Sequence, residues 1–315
     1  VKLGSGKFTY EPVVKWETLP PDYSWREVAA VAVDSNDNVY AFNRGDHPVI
    51  VFDKNGNFRK SWGEGGVFPR AHGITYGPDG FLYCTDDGDH TVKKCTLDGE
   101  VVMTLGVPGK PATPFSGQPF NRCTHVAFDP KTGDFYVSDG YANSRVHKYS
   151  PDGKLLFSWG APGTEAGEFN IVHNIATDKD GYVYVCDREN HRVQVFDDKG
   201  KPEAIWANVH RPCAIYISDE QNVYVGELGP GLAVSKNTPN IGPRISVLNT
   251  KGERLAIIGH MGYGTAVGQM IAPHGICLDS EDSIYLGEVA NTNMRNDGVE
   301  PPANLRSFQK FVKST

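Results

Sequence analysis

Three histidines, His72, His173 and His274, are separated by equal intervals of 101 residues. Each stands five residues before a turn, and each begins a segment that recurs along the chain. The same position holds Ala29, His72, Thr124, His173, Cys213 and His274 in six successive repeats, so histidine occupies the second, fourth and sixth only. If the repeats close into a ring, alternate members stand about 120° apart and the three imidazoles converge on the axis. Three neutral imidazoles with an open fourth position form the donor set of a catalytic zinc site. A second column follows the next strand: Asn43-Arg44, Asp86-Asp87, Asp139-Gly140-Tyr141, Asp187-Arg188, Glu227-Leu228 and Glu288-Val289. Its recurring Asp or Glu reads as a strand-end residue bonded to nearby backbone N–H groups. Arg44, Tyr141 and Arg188 vary from repeat to repeat, so repeat architecture does not account for them. Guanidinium forks suit a carboxylate, and a phenol beside a metal suits a base or an orienting group. His47, His90, His125, His147, His191, His210 and His260 share no such spacing and read as surface or core residues.

The elements that must position these columns are short strands. Residues 172–207 contain HNIAT, a turn at Asp178-Lys-Asp-Gly181, the alternating strand YVYVCD, VQVF after a polar corner, a turn ending at Gly200, and a last strand ending in Trp206. Apolar alternation broken by Asp-Gly and Lys-Gly turns signals antiparallel hairpins. One such unit cannot bury both its faces, and copies begin near residues 28, 70, 122, 172, 211 and 272. Six units of about 40 residues predict an all-β, six-bladed β-propeller forming one domain over residues 1–315. The sixth unit lacks a fourth strand. FTYEPVVKW, within an N-terminal segment of residues 1–27, is expected to supply it, because an open ring would expose strand edges. Two insertions, residues 228–243 and 292–304, follow second strands and are expected to project from one rim as long irregular loops.

Composition narrows the function. No apolar run reaches the 18 residues of a membrane span, and a net charge of −7 without a basic patch argues against nucleic acid. The six cysteines form no CxxC pair. Cys84 and Cys95 are the local candidates for a bridge, and free buried thiols fit the strand positions better. Val1-Lys-Leu-Gly reads neither as a signal peptide nor as an initiating methionine, which leaves a removed leader open and the compartment unassigned.

Two segments, FYVSDGYANSR ending at Arg145 and VCDRENHR ending at Arg192, closely resemble blades of peptidyl-α-hydroxyglycine α-amidating lyase, the second catalytic unit of the peptide-amidating system. The resemblance covers most of repeats one to four and the histidine strand of repeat six. It implies a propeller of NHL-type repeats, zinc on His72, His173 and His274, Tyr141 as the catalytic tyrosine, and Arg44 and Arg188 as active-site arginines. The chain also departs from that family. Gly275 replaces the acidic residue that serves a structural Ca2+, Ala272 replaces a methionine, and Asn121, Ala142, Tyr184 and Val195 replace the disulfide cysteines.

The residues and the resemblance together predict a zinc-dependent lyase. It would cleave the C–N bond of an N-(α-hydroxyalkyl) amide bearing a carboxylate, with a separate monooxygenase supplying the hydroxylated substrate. Two other readings are a non-catalytic NHL-repeat binding scaffold with a structural channel metal, and a lactonase-type hydrolase. The latter usually binds Ca2+ through Glu, Asp and Asn, which the three-histidine column does not offer.

Overall fold

The structure, a computed structural model, describes residues 1–235, 238–259 and 263–314. Six antiparallel sheets follow one another around a ring. Blade 2 shows the pattern: Ala71–Tyr76 lies innermost, followed outward by Leu82–Asp86, Thr91–Cys95 and Val101–Leu105. The three inner strands are largely buried, while the fourth is exposed along much of its length. This gradient explains why only the inner strands read as dense apolar runs.

A repeated hydrogen bond holds five of the six blades to their own first turns. The second strands carry Tyr40, Tyr83, Tyr136, Tyr184, Tyr224 and Tyr285, all buried. Five of these hydroxyls donate to the aspartate of the preceding turn, as Tyr184 does to Asp178 at 2.8 Å. That aspartate also accepts backbone N–H groups of its turn, so one carboxylate satisfies both turn and strand. Blade 5 has Ser218 at the turn, and there Tyr224 pairs with the hydroxyl of Tyr10 at 3.0 Å.

Tyr10 belongs to the closing segment. Phe8–Val13 pairs with the C-terminal strand Phe308–Lys313, with Tyr10 opposite Lys313 and Val13 opposite Lys310. The N-terminus therefore completes blade 6, as edge avoidance requires. It contributes more than the expected strand, because Leu3–Ser5 folds back on Phe8–Val13 and makes blade 6 five-stranded. Trp16 lies beyond the strand and packs against Phe52, Tyr285 and Phe308 instead.

One loop expectation is corrected. Residues 292–304 are not wholly irregular, because they overlap helix α1, Ala290–Asn296. Ala290 and Met294, four residues apart on one helix face, join an apolar cluster with Ala272, Val289 and Leu305. A two-turn helix is unstable alone, and packing rather than propensity maintains this one. The insertion at 228–243 holds a short 3-10 turn at Ala233–Ser235, and Lys236 and Asn237 lie outside the described residues. Among the described residues, no helix is long and apolar enough to cross a membrane. All six cysteines are free and buried.

Candidate metal centre

The histidine column owes its direction to a bulge. In all six innermost strands, pairing to the second strand skips one residue: Ala29, His72, Thr124, His173, Cys213 and His274. A residue left out of the ladder is free to be re-aimed. The three histidines meet at the channel, with ring centroids 4.7–4.9 Å apart. One ligand-capable nitrogen from each lies within 4.8 Å of the others, and all three residues are buried.

The next blade sets each ring's orientation. His72 Nδ1 donates to the carbonyl of Thr124 at 2.8 Å, His173 Nδ1 to Cys213 at 2.7 Å, and His274 Nδ1 to Ala29 at 2.6 Å. The acceptors are the bulged residues of the three blades without histidine. With the proton on Nδ1, each Nε2 presents a lone pair to the axis, the second-sphere arrangement of metal-binding imidazoles. Burial holds all three well below the usual imidazole range, and the positive charges of Arg44 and Arg188 act in the same direction for His72 and His274 and for His173 and His274 respectively. These neutral donors fit a divalent metal of the zinc class.

Tyr141 reaches the same point from the end of blade 3's second strand. Its hydroxyl lies 2.9 Å from His173 Nε2 and 3.2 Å from His72 Nε2, and Arg188 Nη1 donates to it at 3.5 Å. Arg44 is buried. Its Nε donates to the carbonyl of Ala71 at 2.8 Å and its Nη1 to Glu27 at 2.8 Å, while Nη2 has no partner among the described residues. Burial opposes its charge, but the carboxylates of Glu27 and Asp87 outweigh that and raise its pKa. Every residue singled out in the sequence thus lies at one mouth of the channel. The strand-end acids of the second column do bond backbone N–H groups: Asp139 accepts from Asn121, Asp187 from Asn170 and Glu288 from Ile271.

Other residues at this mouth were given no part in the site by the sequence reading. Glu27 holds Arg44 and also accepts from the Thr292 N–H at 2.8 Å and hydroxyl at 2.7 Å, which ties α1 to blade 1. Asp87 pairs with Arg70 and Arg122, and Glu189 pairs with Arg188 and Arg211. The signal that could have found most of them lies two places before the histidine column: Glu27, Arg70, Arg122, Ile171, Arg211 and Ala272. His125 lies farther down the channel, 3.2 Å from Thr75 Oγ1, and His147 is buried against Asp139 and Ser158. His260 lies outside the described residues. At Gly275 there is no room for a side chain, since a Cβ would fall 2.5 Å from Ala30 Cα. The carboxylate that serves Ca2+ in the resembled family therefore has no counterpart here.

Ring and site define a six-bladed β-propeller with a buried three-histidine centre at one channel mouth. The NHL repeat family matches residues 169–196, within blade 4. The chain is related to the peptidyl-α-hydroxyglycine α-amidating lyases and to NHL repeat-containing protein 3. NHL repeat-containing protein 3 of Homo sapiens is 36% identical over 215 residues, 64% of this chain and 61% of that protein. Peptidyl-glycine alpha-amidating monooxygenase of Mus musculus is 28% identical over 329 residues, 92% of this chain and 32% of that protein. The chain thus spans less than two thirds of the length of either relative. The solved structure of a streptogramin B lyase superposes with a TM-score of 0.59 at 15% identity, over 99% of this chain and 88% of that one, a likeness of fold alone.

Proposed function

We propose that this chain is a zinc-dependent carbon–nitrogen lyase. Its substrate would be an N-(α-hydroxyalkyl) amide with a carboxylate, such as a peptidyl-α-hydroxyglycine, and its products the amide and glyoxylate or a related aldehyde acid. One observation carries the reading: the Tyr141 hydroxyl lies within hydrogen-bond reach of two of three convergent, lone-pair-bearing Nε2 atoms. Relatives named as amidating lyases support it.

His72, His173 and His274 would hold the zinc through Nε2. When bound, zinc supplies Lewis acidity that lowers the pKa of a hydroxyl by many units. Tyr141, oriented by Arg188, takes the substrate hydroxyl proton. The O–H electron pair becomes the second bond of the new carbonyl, the C–N bond breaks, and the proton finishes on the departing amide nitrogen. No water or oxidant is consumed. Arg44, held by Glu27 with Nη2 to spare, and Arg188 grip the carboxylate and fix its orientation. The hydroxylated substrate would be supplied by a monooxygenase activity.

The test is release of glyoxylate from N-benzoyl-α-hydroxyglycine by the zinc-loaded protein. Tyr141→Phe should retain zinc and lose roughly 10²–10⁴-fold in kcat, the range of a general acid–base group. Failure to release glyoxylate from any α-hydroxyglycine amide with zinc fully bound would favour the scaffold reading. The 36% identity to NHL repeat-containing protein 3, a name that states no activity, keeps that reading in view.

A further inference from the structure

The mouth of the channel carries more positive charge than one substrate carboxylate requires. Five guanidiniums, Arg44, Arg70, Arg122, Arg188 and Arg211, face three carboxylates, Glu27, Asp87 and Glu189, in a chain whose net charge is −7. Asp87 and Glu189 are each shared by two arginines, and Asp87 is the more deeply buried. Its Oδ2 accepts from Arg70 Nη1, from Arg122 Nη2 at 2.6 Å and from Arg122 Nε at 3.2 Å, while Oδ1 is buried without a partner among the described residues. Arg70 comes from blade 2 and Arg122 from blade 3, so two elements are brought to one carboxylate. The arginine side chains are 36% and 37% exposed and Asp87 is fully buried, which leaves the surplus charge at the open side. The cluster also adjoins the reacting centre, because the Arg122 guanidinium lies 4.3 Å from the centroid of the Tyr141 ring.

We propose that Arg70 and Arg122, paired across blades 2 and 3 by Asp87, form a second anion subsite. It would select substrates whose acyl portion carries an acidic group of its own beside the α-hydroxy carboxylate. This rests on the reaction proposed above. Arg44 and Arg188 take the carboxylate next to the cleaved bond, and Arg70 and Arg122 take the anion on the departing amide. Two planar forks sharing one carboxylate keep N–H groups free for a second acceptor.

The experiment compares N-succinyl-α-hydroxyglycine with its succinyl methyl ester, which has the same reacting centre and a masked second carboxylate. The wild-type protein should prefer the free acid by roughly tenfold or more in kcat/KM, the size of one charge-assisted contact, and less so at high salt. Arg70→Gln should bring the ratio towards one while leaving turnover of the ester and zinc content unchanged. Arg70 is the better probe, because Arg122 also rests on Tyr141 and retains Asp87 when Arg70 is replaced. Binding of the unreactive N-succinylglycine and its succinyl methyl ester, followed by calorimetry, reads the subsite without turnover. Equal binding of the two analogues, or an Arg70→Gln loss equal for both, would overturn the subsite. Preferential binding without turnover of either substrate would keep the subsite and overturn the lyase reading. Equal turnover of both would keep the lyase and remove the subsite.

Discussion

A neutral imidazole is a ligand only while its lone pair is aimed, and here three backbone carbonyls do the aiming. His72→Ala, His173→Ala and His274→Ala should each lose most of the bound zinc by elemental analysis. His125→Ala, next to the unliganded column position Thr124, should retain it. Equal metal in all four variants would remove the site. His125 also sets an acid limit on stability. Desolvation pushes its pKa down to about 4, against about 6.5 in an unfolded chain. The unfolded chain therefore takes up this proton first as pH falls, and the stabilising difference, complete above about pH 6.5, drains away towards pH 4. The metal-free protein should lose stability through that window, and His125→Gln should make the slope of melting temperature against pH shallower. The three site histidines are depressed in the same direction, so the slope should not vanish.

Between elements, the consequential contact is Glu27, which joins blade 1, Arg44 and α1 through one carboxylate. Glu27 and Arg44 are 3% and 7% exposed. Removing one partner of a buried ion pair strands the other charge and costs about 3–5 kcal/mol. Glu27→Ala should therefore lower the denaturant midpoint strongly. Glu27→Gln, which still offers an oxygen to Arg44 and Thr292, should recover part of that loss. A Glu27→Ala variant as stable as the wild type would mean that α1 and Arg44 are held by something else, with the apolar contacts of Ala290 and Met294 the first alternative.

At the scale of the whole molecule, the ring is closed by a strand from one end of the sequence pairing with a strand from the other. Deleting residues 1–13 would remove two strands of blade 6, expose the edge of Phe308–Lys313, and leave Tyr224 without the Tyr10 hydroxyl. A markedly lower melting temperature and aggregation through the open edge are expected. A truncated protein as stable and monomeric as the full chain would show that closure contributes little. The streptogramin B lyase likeness extends over nearly the whole ring, whereas the chemistry depends on the side chains at one mouth.

The sequence by itself determined the propeller, because its information is local and repeated: polar turns and alternating strands recur in six successive units, and each copy supports the others. The histidine column was legible for the same reason, since one position shared by alternate units becomes a fixed angle in a ring of six. Even the missing fourth strand could be inferred from counting. Tertiary structure alone decided how the column points, because the bulge that frees each histidine is a mismatch of register between two strands and carries no residue signature of its own. It also decided which carbonyl receives each Nδ1–H and which arginines share Asp87 and Glu189. Those contacts cross from blade to blade, where spacing along the chain no longer reports distance. Helix α1 escaped the sequence reading too, for its two turns have little stability until Ala290 and Met294 join the apolar cluster of Ala272, Val289 and Leu305.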